Sequence, residues 1–271
     1  MSDASTVKGS DVVLITGAAG TIGSMLRHAL ARPGRHLRLL DVADQEPLAP
    51  SEDAELIVGS FLDAAVMAYA CRDASAIVHF GGLSTKDFEW HEFLDVNING
   101  TYVVLEAARV AGVPRVVYAS SNHAAGFQPI ERASLVPDYV FPRPDTFYGV
   151  SKAASESLGS LYHDRHGLDV VCLRIGSYGE RPANTRQLWS WLSPGDCARL
   201  VEAAMTTPRP GFRVVWGVSA NQRAVVTLDE GHAIGYQPVD DAEAFADELA
   251  GQPGDAGDDV AFIGGPYTLP D

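Results

Sequence analysis

Tyr148 and Lys152, four residues apart, are the pair of side chains in this sequence that proposes a reaction most directly. Residues at this spacing lie on the same face of a helix, one turn apart. A neighbouring ammonium group favours the phenolate and lowers the pKa of a tyrosine from ~10, so the pair could act as a base. An isolated match of this kind is more often a solvated helix face. The rest of the chain must therefore supply a hydride acceptor, a second hydrogen-bond donor and a substrate pocket.

A glycine-rich segment near the start of the chain predicts where a dinucleotide would bind. The apolar run at 11–16 ends in Gly17-Ala-Ala-Gly20-Thr-Ile-Gly23, and a helical pattern follows as far as Pro33. Glycines in this context let the backbone turn tightly and approach a pyrophosphate at the helix N-terminus. A plain tight turn is the alternative, which the flanking strand and helix disfavour. The residues expected to hold the dinucleotide here are Gly17, Gly20, Thr21, Ile22 and Gly23.

An acid at the end of the second predicted strand indicates which dinucleotide is used. Asp41 follows Gly23 at close to the ~20-residue spacing expected for the carboxylate that accepts hydrogen bonds from the adenosine ribose. A carboxylate at this point repels a 2′-phosphate, and no arginine stands among the next three residues. We therefore expect NAD rather than NADP, with an ordinary strand-end aspartate in a turn as the alternative.

Strands alternate with helices along the first two thirds of the chain. The predicted strands are 11–16, 37–41, 55–59, 76–80, 115–120 and 168–175. This rhythm is typical of an α/β, Rossmann-like fold with a doubly wound parallel sheet, which binds its ligands beyond the carboxyl ends of the strands. Gly81-Gly82, Ser120-Ser121-Asn122-His123 and Gly176-Ser177 all fall at such ends. Their common location makes a catalytic role for Tyr148 and Lys152 the better interpretation.

A long helix predicted at 92–111 contains Asn97 and Gly100. Both residue types cost stability inside a helix. We therefore expect a local reason for them, such as a kink, a bound water or a ligand.

The last part of the chain departs from this rhythm. We predict a polar loop at 176–193, a helix at 194–205, a strand at 212–216 and a short helix at 240–249. These pieces are too small to fold alone. The expected organisation is one domain over 1–271, with a dinucleotide-binding core at 11–175 and a mainly substrate-side cap at 176–271.

Composition excludes several classes of function. The chain has 271 residues, 46% hydrophobic and 20% charged, which is typical of a soluble globular protein. A net charge of −15 argues against nucleic acid and anionic membranes as partners. Its three cysteines are widely spaced, so we expect no disulfide framework and no metal site. With no signal peptide and no apolar run of ~20 residues, we expect a cytoplasmic protein, and a homo-oligomer is compatible with these features.

Together the motifs resemble the extended short-chain dehydrogenase/reductase superfamily, in which they occur in this order. A finer resemblance, over nearly the whole chain, is to the uronate dehydrogenases. Its marks are Gly81-Gly82-Leu-Ser84, Ser120-Ser121-Asn122-His123, Arg174-Ile-Gly-Ser177, the segment from Trp191-Leu-Ser-Pro to Asp196, and Val214-Val-Trp-Gly-Val-Ser-Ala-Asn221. The resemblance implies oxidation of the anomeric C1 hydroxyl of galacturonate or glucuronate by NAD⁺, with the aldarolactone as product.

The resemblance also implies a role for each residue of the site. Tyr148 would be the base, Lys152 its pKa partner and a ribose ligand, and Ser121 the donor that steadies the substrate oxygen. The sugar would further contact Ser84, Asn122, His123, Ser177, Arg186 and, as the aromatic neighbour, Tyr267. The cofactor site would be completed by Ser60, Phe61, Phe80, Gly81, Gly82, Asn97 and Ile175. Ser60 stands where many relatives have an aspartate against adenine, so its hydroxyl or the Phe61 backbone would have to replace that contact.

Local charge agrees with an anionic sugar as substrate. The segment 176–193 holds Arg181, Arg186 and one acid, Glu180, in a strongly acidic chain. An arginine fork can hold a carboxylate bidentately. Without the resemblance, a surface salt bridge for Arg186 and an ordinary loop histidine for His123 are the alternatives.

Two other functions remain open from the sequence. One is an NAD-dependent sugar-nucleotide epimerase or dehydratase of the same superfamily, which usually needs a larger C-terminal region than the about 95 residues that follow Ile175. The other is a non-catalytic NAD-binding sensor or scaffold. Such proteins often lose the tyrosine or the lysine, and this chain has both.

Overall fold

Seven parallel strands form the central sheet of the computed structural model, which describes residues 11–84, 88–131, 133–250 and 261–269. The strands are β1 (Asp11–Thr16), β2 (Arg35–Asp41), β3 (Ala54–Val58), β4 (Ala76–His79), β5 (Arg115–Ser121), β6 (Asp169–Ile175), β7 (Ser177–Tyr178), β8 (Trp191–Leu192) and β9 (Phe212–Gly217). The order in the sheet is β3-β2-β1-β4-β5-β6-β9, and β7 pairs with β8 separately. Because the order reverses between β1 and β4, a crevice opens there beyond the carboxyl ends of the strands.

Helices cover both faces of this sheet. The α-helices are α1 (Thr21–Ala29), α2 (Ala64–Ala70), α3 (Trp90–Glu92), α4 (Gly100–Ala111), α5 (Phe147–His166), α6 (Gln187–Ser190), α7 (Pro194–Thr206), α8 (Asp229–Ala233) and α9 (Ala246–Leu249). Alternate residues of β1 point to opposite faces. Val13 and Ile15 belong to a core that includes α1 and α7, whereas Val12 and Leu14 belong to one that includes α2 and α4. The prediction of a doubly wound, Rossmann-like α/β fold is confirmed.

The predicted helix at 92–111 is not a single α-helix. Between α3 and α4 the chain forms a π-helix over Phe93–Asn99. Asn97 binds both backbone groups of Leu83, with Oδ1 accepting from N at 2.8 Å and Nδ2 donating to O at 3.0 Å. Its Nδ2 also lies 2.9 Å from Ser151 Oγ on α5. The asparagine therefore links the loop after β4 to helix α5, which carries Tyr148. This contact is a local reason for an asparagine inside a helix, as the sequence led us to expect.

The C-terminal part contributes the edge strand β9 to the sheet. Strand β9 lies beside β6, where Trp216 pairs with Arg174 and is completely buried. The segment predicted as a polar loop, 176–193, contains β7, α6 and β8 instead. These elements are two to four residues long, which is too short to show a periodic pattern in the sequence, and they bury Leu188 and Leu192. Among the described residues, no helix is both long enough and apolar enough to cross a membrane.

Candidate active site

Helix α5 brings the tyrosine and the lysine together at its first two turns. Thr146 caps the helix, its Oγ1 accepting from the Gly149 N–H at 3.0 Å. Lys152 is buried, and its Nζ donates to the carbonyl oxygen of Ala119 at 2.7 Å. The same nitrogen lies 5.5 Å from the centre of the Tyr148 ring and 4.9 Å from that of Tyr118. Two aromatic rings and a carbonyl thus hold the ammonium group beside the phenol.

The electrostatics of this pair differ from the expectation. Burial raises the pKa of Tyr148 to about 12, with a hydrogen bond to Ser121 opposing the rise and the Asp145 carboxylate adding to it. Burial lowers the pKa of Lys152 to about 8. We expected Lys152 to lower the pKa of the phenol, but in the protein itself desolvation of the phenolate outweighs that effect. A further positive charge at the site is needed to favour the phenolate.

The end of β5 presents the polar run of the site. Ser121 Oγ accepts from the His123 N–H at 3.2 Å and caps a short 3-10 turn over Asn122–Ala125. Asn122 is 4% exposed. With its amide oriented to satisfy its neighbours, it donates to the Ile175 carbonyl and accepts from Arg186 Nη2, both at 3.2 Å. Asn122 thus links the end of β6 to the arginine as well as lining the site.

A polar cavity of about 540 Å³ opens beside these residues. Its lining is Asn122, His123, Gly176, Ser177, Tyr178, Asn184, Arg186, Gln187, Pro266 and Tyr267. This volume suits a small-molecule ligand. Five residues predicted to bind substrate lie around it, and a second cavity of about 680 Å³, which includes Tyr148, adjoins it through Pro266 and Tyr267. Asn184 and Gln187 lack any motif in the sequence, and only the fold reveals them.

The two arginines of the segment 176–193 occupy different places. Arg186 is half-buried in the cavity wall, where its Nη2 donates to the Ile263 carbonyl at 2.6 Å and its guanidinium lies 5.3 Å from the centre of the Trp189 ring. A Cβ at Gly265 would lie 2.3 Å from Arg186 Nε. Arg181 is exposed and pairs with Glu248. The structure therefore assigns the cavity-facing cation to Arg186.

Three other residues predicted to contact the sugar differ in position. Ser177 Oγ lies 2.9 Å from Ser190 Oγ at the cavity wall. The Tyr267 ring meets the His123 ring edge-on, with centroids 4.7 Å apart. Ser84 is exposed and lies outside the described linings of both cavities. The structure therefore brings Ser177 and Tyr267 to the cavity, and the contact predicted for Ser84 stays a prediction.

The glycine loop has the geometry of a dinucleotide cradle. Gly17 has φ +73°, and a Cβ there would lie 2.6 Å from the Gly81 nitrogen. A Cβ at Gly23 would lie 2.1 Å from the Gly17 oxygen, so the loop and α1 can pack this closely only with glycine. Gly20 is exposed at the N-terminus of α1, and no side chain caps the helix. Thr21 and Ile22 follow it in the first turn, where backbone N–H groups can bind a pyrophosphate.

Asp41, at the end of β2, supports this loop directly. Its Oδ2 accepts from the Ala19 N–H and its Oδ1 from the Ala43 N–H, both at 2.9 Å. The carboxylate thus shapes the loop in addition to the ribose contact predicted for it. Val42 and Val58 are 68% and 70% exposed at the ends of β2 and β3, where they form an apolar rim.

The remaining predicted cofactor residues surround the end of β4. Ser60 Oγ accepts from the Leu62 N–H at 3.1 Å, whereas the Phe61 ring packs inward, its centroid 5.2 Å from that of the buried His79. Phe80 packs against the core on the α1 side, and Ile175 ends β6 beside Ser121. A Cβ at Gly81 would lie 2.6 Å from the Phe61 ring, and one at Gly82 would lie 3.0 Å from Asn97 Oδ1, so both glycines allow a close approach here. These residues form the floor of the crevice, and their fit agrees with a bound dinucleotide.

Asp145 is a residue of the site that sequence reasoning missed. Its Oδ2 lies 2.8 Å from His123 Nδ1, and its side chain has no exposed surface. It also contributes to the high pKa of Tyr148. The available signal was weak, namely an acid immediately before the helix cap Thr146. Among the described residues, no group of three or more potential metal ligands is present.

Comparisons with known proteins agree with this geometry. The model of the NAD dependent epimerase/dehydratase family matches residues 13–193. Uronate dehydrogenase of Pseudomonas putida is 38% identical over 95% of both chains, and that of Pseudomonas syringae pv. tomato is 40% identical over 93% of this chain and 90% of its own. A crystal structure of a mutant uronate dehydrogenase from Agrobacterium tumefaciens, complexed with NAD, has a TM-score of 0.87 at 36% identity and covers 95% of this chain and 97% of that one.

These findings confirm the expected family, the expected cofactor and the expectation of an enzyme. The matches span the dinucleotide core and the C-terminal part alike. The chain belongs to the NAD dependent epimerase/dehydratase family and, within it, to the uronate dehydrogenases, which are NAD-dependent oxidoreductases.

Proposed function

We propose that this protein oxidises the anomeric C1 hydroxyl of a hexuronate, galacturonate or glucuronate, to the aldarolactone with NAD⁺. The observation that supports this most strongly is the half-buried Arg186 in a polar cavity that adjoins the Tyr148–Lys152 pair. A guanidinium held in a cavity wall suits a carboxylate at the far end of a sugar ring. The relatives named uronate dehydrogenases support the same substrate class.

Tyr148 would take the proton of the C1 hydroxyl through its phenolate oxygen. Ser121, whose side chain favours the phenolate form of Tyr148, would donate to the same substrate oxygen and keep it in line with the base. Bound NAD⁺ would supply the hydride acceptor and a positive charge. Lys152 stays fixed on the Ala119 carbonyl, so its ammonium group adds a second positive charge at a set distance from the phenol.

The rest of the cavity would set the orientation of the sugar. Arg186 would hold the carboxylate, while His123 and Ser177 would bind ring hydroxyls and Tyr267 would cover the ring. Asn122 would act chiefly by aligning Arg186, since its amide is engaged with Ile175 and the guanidinium. Fixing the carboxylate and the hydroxyls places C1 against the base, which is where orientation contributes most to the rate.

A substrate screen tests this function. Galacturonate, glucuronate, galactose, glucose, glucose 6-phosphate and a UDP-sugar are each incubated with NAD⁺ or NADP⁺, and reduced cofactor is followed by its absorbance. We expect turnover with the uronates and NAD⁺ and little with the neutral sugars. NMR of the fresh product should show the lactone before the open-chain diacid. If neither uronate yields NADH while the UDP-sugar is converted, the epimerase or dehydratase alternative replaces this proposal.

A further inference from the structure

We propose that Asp145 is a positioning residue, which holds the His123 imidazole with Nδ1–H on its carboxylate and leaves Nε2 as the acceptor for a sugar hydroxyl. This inference rests on the proposed function for its substrate. The contact is short and sheltered, since Nδ1 and Oδ2 are 2.8 Å apart and the two side chains are 17% and 0% exposed. In a neutral imidazole one ring nitrogen donates and the other accepts, so a carboxylate on Nδ1 selects the role of Nε2.

The pocket around the Asp145 carboxylate is built from three separate segments of the chain. A Cβ at Gly126 would lie 2.1 Å from Asp145 Oδ2, and one at Gly264 would lie 1.8 Å from it. A Cβ at Gly149, on α5, would lie 3.2 Å from Asp145 Oδ1. Only glycine leaves room for the carboxylate at the first two positions. The Asp145 carboxylate is therefore closely packed on several sides beside the histidine.

The surroundings of the ring fix its plane as well. The Tyr148 ring lies 6.0 Å from the His123 ring and the Tyr267 ring 4.7 Å from it, both close to edge-on. With Nδ1 engaged and both flanks packed, Nε2 is the polar atom that the ring can offer to the polar cavity that His123 lines. Asp145 immediately precedes Thr146, which caps helix α5. Adjacent residues of the chain thus position His123 and the helix that carries Tyr148.

The tautomer of His123 in the unaltered protein is the first test. Protein labelled with ¹⁵N-histidine is examined by two-bond ¹H–¹⁵N correlation NMR at neutral pH, and the His123 signals are assigned by their loss in His123→Asn. We expect a protonated Nδ1 and an unprotonated Nε2. A proton on Nε2, in either the other tautomer or the imidazolium, would overturn the assignment. This test needs no substrate, so it stands apart from any failure of uronate turnover.

A double-mutant cycle tests whether Asp145 acts through His123. Asp145→Asn keeps the shape and removes the charge, whereas His123→Asn keeps a donor near the Nδ1 position and removes Nε2. If one charge-assisted hydrogen bond is lost, each single variant should raise the uronate KM about tenfold and leave the NAD⁺ Kd within about twofold. The double variant should have the KM of His123→Asn alone. If the two KM increases multiply in the double variant, or if NAD⁺ binding is lost to the same extent, the role of Asp145 is purely structural.

Discussion

Replacing Arg186 with alanine should lower uronate use without lowering cofactor binding. The guanidinium would form at least one charge-assisted hydrogen bond to the substrate carboxylate, and such bonds contribute about 1.5–3 kcal/mol. A two-pronged contact, partly replaced by water after the substitution, gives a loss of about 3 kcal/mol, or roughly a hundredfold in kcat/KM. Because the carboxylate is remote from C1, most of this loss should fall on KM.

Steady-state kinetics with glucuronate and glucose measure this loss as a change in the preference for the uronate. The matched control is Arg181→Ala, because Arg181 forms an exposed ion pair with Glu248. An exposed pair contributes about 0–1 kcal/mol, so we expect less than about a fivefold change. Calorimetric titration with NAD⁺ completes the assay.

Three results would refute the reasoning about Arg186. The first is an equal fall in activity toward glucuronate and glucose, and the second is a similar effect of Arg181→Ala. The third is a loss of NAD⁺ affinity in parallel with uronate use. Arg186 also donates to the Ile263 carbonyl, so a small fall in thermal stability of about 0.5–1.5 kcal/mol is expected and does not count against it.

Asp41→Ala should raise the NADP⁺/NAD⁺ activity ratio and also weaken NAD⁺ binding, since the carboxylate holds the Ala19 N–H of the glycine loop. Lys152→Met should remove a pH dependence of stability that urea titrations can measure. Between pH about 8 and ~10.4 the unfolded chain binds more protons than the folded one, because the folded lysine has the lower pKa. The free energy of unfolding of the wild type should therefore rise with pH relative to that of the variant. Glu156→Gln should cost about 3–5 kcal/mol in urea unfolding, since it breaks a buried pair with Arg174.

Each of these predictions has a control and a contrary outcome. The control for Asp41→Ala is Asp44→Ala, because Asp44 is exposed. An unchanged NADP⁺/NAD⁺ activity ratio in Asp41→Ala would show that Asp41 does not select the cofactor. For Lys152, a stability difference independent of pH would contradict the lowered pKa. Glu243→Gln, in a more exposed pair with Arg223, should change stability far less than Glu156→Gln because solvent screens the pair. A similar cost for the two glutamates would show that burial of the Glu156 pair does not matter.

Local sequence rules predicted the parts of the site that depend on neighbours along the chain. The spacing of Tyr148 and Lys152 places them on one face of a helix. The glycine pattern predicts a tight turn, and at positions 17 and 23 only glycine fits. Alternation of buried residues in β1 sets the two faces of the sheet. These features follow from periodicity and backbone sterics, which are visible in any short window.

Features that depend on tertiary burial could not be predicted in this way. Asp145 meets His123 only because a loop returns to the end of β5, and Asn97 is explained only by its contact with Leu83. The rise in the pKa of Tyr148 has the same origin. Spacing indicated the ammonium group beside it, but the desolvation that dominates comes from the packed site around the ring. Sequence reasoning therefore predicted that Tyr148 and Lys152 lie together, but it did not predict that burial raises the pKa of the phenol in the protein itself.

The charge distribution explains how an acidic chain can bind an anionic sugar. Near the base, the buried carboxylate of Glu156 is paired with Arg174, and that of Asp145 is engaged by His123. Lys152 and Arg186 have neutral carbonyl oxygens among their partners. Because contacts at close range in a partly buried site are screened far less than charges across the surface, these two cations can attract a bound anion in a chain of net charge −15. The two acids thus have partners of their own, and under the proposed function Lys152 and Arg186 would face the phenolate and the sugar carboxylate.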